Sequence, residues 1–171
     1  MQMLEGNRGG QALFTETRHV AMLEQALQSS GRLTFEAPDT FVRETLHPRS
    51  ERVAVTGNQL TLTQGNRVRV FALDAAPEAA VMIEAIRGTL SGNRQMLERY
   101  FKLGVGGEAR DWWLELVPLE SRLRAQVRTI RVAGGHSHVR EVQVLLADGD
   151  RSVMSIEPLA ASAPARRASG Q

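Results

Sequence analysis

Cysteine is absent from all 171 residues. That removes disulfides, thiolate metal sites and a cysteine nucleophile together. Lysine is nearly absent as well: Lys102 stands alone, and arginine carries the remaining positive side-chain charge. The 21 basic residues face 19 acidic ones, leaving a net charge of +2. No segment gathers positive charge with aromatics between. The basic stripe of a nucleic-acid-binding protein is therefore missing. No run of about 18 apolar residues occurs, so no helix is long and apolar enough to span a membrane. The opening Met1-Gln2-Met3-Leu4-Glu5 shows no basic segment followed by an apolar one. By sequence alone, a cytoplasmic protein and an exported one with its signal removed both stay open.

What is present is ordinary for a globular chain, with 42% hydrophobic and 23% charged residues. The length suits one domain with a full core. A single domain over residues 1–158 is expected, followed by an Ala/Ser/Pro/Arg-rich tail, 159–171, expected to be disordered.

The patterning is mostly β. Met1 to Glu5 reads as the end of a helix stopped by Asn7-Arg8-Gly9-Gly10. Leu13 to Arg18 reads as a strand, and Val20 to Leu27 fits helix or strand. From Gly31 the alternation is clear: Arg32-Leu33-Thr34-Phe35-Glu36 has the period of a half-buried strand. Ala37-Pro38-Asp39 forms a turn, because proline restricts itself and its predecessor. Phe41–Leu46 is the next strand, ended by His47-Pro48. Glu51–Thr56 and Gln59–Thr63 flank Gly57-Asn58, a pair suited to a tight hairpin. Arg67–Phe71 follows another turn. This spacing predicts an antiparallel meander.

The period then changes. Pro77 is placed to open a helix, with Met82, Ala85, Ile86 and Leu90 on one face. Met96, Leu97, Tyr100 and Phe101 give a second helical stripe. Gly104, Gly106 and Gly107 lack the flanking elements of a phosphate-cradling loop and read as a plain connection. Strands resume at Asp111–Pro118, Leu123–Val132, Val139–Leu146 and Arg151–Glu157, with turns at Gly134-Gly135 and Asp148-Gly149. The fold class is mainly β with inserted helices. About ten antiparallel strands would curl or close. Patterning leaves a ligand cavity and a core plugged by the helices equally open.

Catalytic and metal motifs are thin. His136-Ser137-His138 puts two histidines on one side of a strand, but a metal site needs three or four ligands. Beside two glycines they read as exposed turn residues. Asp148-Gly149-Asp150 lacks the remaining ligands of a calcium loop. The carboxylate pairs Asp111/Glu115 and Glu16/Glu36 have nothing to bring them into one cleft. No Gly-x-Ser-x-Gly elbow occurs. No enzyme, metal or cofactor is expected.

The run Gly31-Arg32-Leu33-Thr34-Phe35-Glu36-Ala37-Pro38-Asp39-Thr40-Phe41-Val42-Arg43 resembles the signature that begins the sheet of the periplasmic lipoprotein carriers, the LolA-like family. Other resemblances follow in order: Phe14-Thr15-Glu16, Pro48, the hairpin from Val55 to Leu62, the helical stretch Ala79–Phe101, Trp112-x-Leu114-x-Leu116-x-Pro118, and the span Ile130–Ile156. Together they cover residues 12–158.

This resemblance implies an unclosed antiparallel β-barrel covered by a helical lid. It implies a hydrophobic cavity that takes lipoprotein acyl chains or another lipid. The sheet would contribute Leu33, Phe35, Leu60, Leu62, Trp112, Leu114 and Leu116. The helices would add Met82, Ile86, Met96 and Phe101. A one-residue slip in register would reverse every strand face. The resemblance also implies a monomer in the periplasm, collecting cargo from an inner-membrane donor complex and delivering it to an outer-membrane acceptor. The family's lid-contacting arginine is replaced by Ala37. Arg43 is the nearest gating candidate, and a lipid other than lipoprotein becomes an alternative cargo. A second expectation is a lipid- or lipoprotein-sensing module with no transport role.

Overall fold

The computed structural model describes residues 9–36, 39–75 and 77–159. The described part begins with strands β1 (Gly9–His19), β2 (Leu27–Glu36), β3 (Thr40–His47), β4 (Glu51–Thr56), β5 (Gln59–Gln64) and β6 (Arg67–Ala72). A 3-10 turn at Leu73–Ala75 leads to helices α1 (Pro77–Ser91) and α2 (Arg94–Tyr100). Then come β7 (Phe101–Glu108), β8 (Asp111–Pro118), the short helix α3 (Ser121–Arg124), β9 (Val127–Gly135), β10 (His138–Leu146) and β11 (Arg151–Pro158).

The 11 strands of the described residues form one antiparallel sheet, in the order β6-β5-β4-β3-β2-β1-β11-β10-β9-β8-β7. Each pairing joins sequence neighbours except the central one. There β1 meets β11, with Phe14 opposite Ile156 and Glu16 opposite Met154. The first and last strands thus seam the middle, and β6 and β7 become the two edges. These edges do not pair with each other. Instead the chain crosses from one to the other through the 3-10 turn, α1 and α2. The sheet is an open one, not a closed barrel.

Several elements differ from the sequence reading. Gly9 and Gly10 open β1 rather than stopping a helix, pairing with Glu36 and Phe35. A side chain at Gly9 would place its Cβ 2.2 Å from the Phe35 carbonyl oxygen, so glycine is what lets the strands meet there. Residues 1–8, where a helix end was expected, lie outside the described part, as do Ala37 and Pro38. Val20–Ala26 is neither helix nor strand.

The glycine-rich segment at 104–107 is strand, not connection. Gly106 lies opposite Trp113 on β8. A Cβ at Gly106 would sit 2.4 Å from Trp113 Cζ2. The indole thus lies across bare backbone, with the Arg131 guanidinium 4.9 Å from the ring centroid. Glycine hid this strand because it has no side chain to show a period.

Leu123 belongs to α3, and β9 starts only at Val127. Leu123 and Val127 are both buried. Four residues apart, they fit strand alternation as well as a helical turn, so spacing does not separate the two.

Burial is concentrated in two clusters. The larger joins Ala85, Leu97 and Phe101 to the β8–β9 residues Trp112, Leu114, Leu116, Ile130 and Val132. The smaller joins Val55, Leu73 and Ile83. Helix α1 touches both, through Ala85 and Ile83. It is also tied to the β4–β5 turn, where Arg87 Nη2 donates to the Gly57 carbonyl at 2.7 Å. Helix α2 packs on α1 where Gly88 leaves room for Leu97. The Asn93 side chain caps it by accepting from the Met96 amide at 3.1 Å.

At the other end, the Leu159 amide donates to the Gln11 carbonyl at 2.8 Å. Residues 160–171, the rest of the expected tail, lie outside the described part. No described helix is long and apolar enough to cross a membrane.

Candidate functional site

Directly opposed residues in an antiparallel ladder share a face. The pairings therefore define which side chains look inward. Leu33 faces Arg43, Arg43 faces Val53 and Val53 faces Leu62. Phe35, Phe41, Val55 and Leu60 form the adjacent row. Across the seam, Glu16, Met154, Val142, Val132 and Leu114 make another row of the same face. All the strand residues expected to face a cavity, from Leu33 to Leu116, lie on this one side.

This face curls around a cavity of about 180 Å³. Leu33 of β2, Phe41 and Arg43 of β3, and Leu116 of β8 all border it. β3 and β8 are six positions apart in the sheet order. In a flat sheet that would be ~29 Å at the usual strand spacing. Sharing one small cavity requires strong curvature. α1 supplies the remaining wall through Ala85, Ile86, Thr89 and Leu90.

Among the expected site residues, Leu33, Ile86 and Leu116 border the cavity, with Arg43. Trp112, Leu114 and Phe101 sit in the packed cluster behind it, Phe101 as the first residue of β7 rather than from a helix as expected. Trp112 is fixed there by its Nε1–H, which donates to the His136 carbonyl at 2.9 Å. Phe35 is buried in the sheet, and Leu60 packs against the smaller cluster. Leu62 and Met96 are half-buried and away from the cavity wall. The side chain of Met82 is outside the described part. The sequence reading omitted the β9–β11 wall, which includes Ile130 and Val132, Val142 and Val144, Met154 and Ile156. Their alternation was visible in the sequence. Their convergence on one cavity was not.

The cavity is apolar except at a few points. Glu16 and Arg43 are the charged groups of its described lining, and Ser152 and Thr89 add hydroxyls. Arg43 Nη2 donates to Glu16 Oε1 at 2.9 Å. Ser152 Oγ donates to Glu16 Oε2 at 2.6 Å, and Ser29 Oγ to Oε1 at 3.4 Å. The Arg43 guanidinium also lies 4.7 Å from the centroid of the Phe14 ring. Burial pushes the Glu16 carboxyl toward protonation. The Ser152 hydrogen bond and the Arg43 charge outweigh it and hold the pKa below the ordinary value. Thr89 is buried on α1, and its hydroxyl has no hydrogen-bond partner among the described residues.

Glu36, once paired with Glu16 as a possible acid–base couple, is exposed at the end of β2. His136 and Ser137 form the exposed β9–β10 turn. No group of three possible metal ligands gathers among the described residues.

The sequence matches the family model described as outer membrane lipoprotein carrier protein LolA-like, over residues 1–169. No curated protein matches it. Among solved structures, the chain is similar to a LolA superfamily protein of Nitrosomonas europaea, at TM-score 0.49 and 10% identity, covering 89% of this chain and 85% of that one. It is similar to lipoprotein LppX of Mycobacterium tuberculosis, at TM-score 0.45 and 9% identity, covering 91% and 88%. It is also similar to a chain of the Pseudomonas aeruginosa MucA/MucB complex, at TM-score 0.49 and 12% identity, covering 96% and 56%. On the family match across nearly its whole length, the chain belongs to the LolA-like outer membrane lipoprotein carrier family.

Proposed function

We propose that this protein is a periplasmic carrier that takes acyl chains of lipoproteins, or of a related lipid, into the cavity under α1. The observation that carries the reading is the cavity itself: apolar side chains from six strands and one helix surround it. Each methylene kept from water there is worth about 0.8 kcal/mol. Affinity would come from burial, and release would need only an opening.

The size of the cavity bears on that opening. At about 180 Å³ it is close to the apolar cavities of roughly 150 Å³ that hold a single benzene. A long acyl chain needs more room, so the wall must yield. α1 is the candidate: it supplies one wall of the cavity and takes no part in the strand ladder. Movement of α1 as a lid would widen the cavity without disturbing the ladder.

Native mass spectrometry of protein taken from its host, together with titration by a diacylglyceryl-cysteine peptide, tests the carrier reading. Bound acyl mass and saturable binding are expected. An empty protein that also ignores the lipopeptide would refute it.

A second reading, a sensing module without transport, is favoured by edge strand β6. Every residue of this strand is exposed, including Val68 and Val70. A bare apolar edge suits strand addition by a protein partner. If lipopeptide binds but is never passed to acceptor membranes, while substitutions at Val68 and Val70 abolish a stable protein complex, the sensing reading replaces the carrier one.

A further inference from the structure

We infer that the cavity selects acyl groups in neutral ester or amide linkage over free fatty acid anions, and that Glu16 is the residue that sets this preference. The inference rests on the reading of the cavity as an acyl site and adds its chemical selectivity.

An arginine in an apolar cavity ordinarily invites a carboxylate, because its planar fork matches one. Here that invitation is already answered. Glu16 occupies Arg43 at 2.9 Å and is itself held by Ser152 at 2.6 Å. The charged groups of the described lining are this pair, so the wall is neutral as a whole. A fatty acid anion entering would meet the Glu16 carboxylate across a medium that screens poorly. It would have to displace Glu16 from Arg43 and leave that carboxylate without its partner. An ester or amide carbonyl meets no such opposition. It carries no charge and needs only a donor.

A donor is present. The Thr89 hydroxyl is buried, borders the cavity and has no partner among the described residues. A buried polar group in that state favours a ligand that completes its hydrogen bonding. Two independent features therefore agree. The ion pair in the sheet opposes an anion, and the hydroxyl on α1 suits a neutral carbonyl. Discrimination by a built-in unfavourable contact is a common device of specific sites.

The test compares monomeric palmitate with monopalmitoylglycerol by calorimetry at about pH 8, where the fatty acid is ionised. The wild-type chain should bind the glycerol ester at least about tenfold more tightly. Glu16→Gln frees Arg43 and should tighten palmitate by about tenfold while changing the ester by less than about threefold. Thr89→Val, close in shape and free of the unpartnered hydroxyl, should weaken the ester by about fivefold; it provides a variant expected to fold should Glu16→Gln not. Equal or tighter binding of palmitate by wild type, an unchanged ratio in Glu16→Gln, or an indifferent Thr89→Val would each overturn the inference and leave the acyl-site reading intact. If wild type binds neither lipid, the acyl-site reading falls and takes the inference with it.

Discussion

Truncating Leu116 to alanine tests the packing of the cavity wall directly. Leu116 has 0% of its surface exposed, borders the cavity and belongs to the larger core cluster. It lies opposite Ile130 on one side and Leu103 on the other. The substitution removes three carbons, about 2.4 kcal/mol of lost transfer free energy at about 0.8 per carbon. A further loss comes from the space left behind, since buried leucine truncations typically reach 2.7–5 kcal/mol, about 3 being expected here. Collapse does not fill that space, because Ile130 and Leu103 stand on strands whose backbones are held by ladder hydrogen bonds.

Urea unfolding measures this. With a slope of about 2 kcal/mol/M, the midpoint should fall by about 1.5 M. Leu46→Ala on the outer face of β3, where Leu46 is 50% exposed, is the control and should cost less than about 0.5 kcal/mol. A Leu116→Ala loss below about 1 kcal/mol, with unchanged slope, would refute the view that this wall is tightly packed.

Two further outcomes follow from the same geometry. Gly106→Ala should destabilise by about 1–3 kcal/mol, because the new methyl would press on the Trp113 ring; thermal melts and the Trp fluorescence maximum report it, and a neutral result would mean the indole is not held against β7. The Glu16 pKa is held below its ordinary value of 4.5, so its contribution is present at neutral pH and lost as pH falls below 4.5 through the folded-state value. Wild type should therefore lose more stability than Glu16→Gln between about pH 6 and about pH 3, and parallel melting curves would contradict the ion-pair geometry.

The local grammar of this chain was legible. Alternation marked β2 to β6 and β8, β10 and β11, Gly57-Asn58 and Asp148-Gly149 marked turns, and the shift to helical spacing after Pro77 marked α1 and α2. Those signals depend on residues near one another in the chain. The resemblance of the Gly31–Arg43 run and its companions reached the family, because they keep an order that periodicity does not supply. β7 was not legible, because its period is hidden by glycines whose purpose, room for Trp113, lies on another strand. α3 was masked because Leu123 and Val127, four residues apart, fit either period.

What only the tertiary structure decided is non-local. The pairing of β1 with β11 joins the two ends of the chain, and no local pattern encodes it. That pairing sets Glu16 beside Ser152, 136 residues away. The β1–β2 and β2–β3 registers bring Arg43 to Glu16, and the β9–β10 and β10–β11 registers turn Ile130, Val142 and Met154 onto one face. Sequence by itself determined that there would be a sheet with apolar faces and a helical insertion. The curvature, the cavity and the neutralised ion pair in its described lining arose from which strands meet, because a face or a charge acquires its partner only when the chain has folded back on itself.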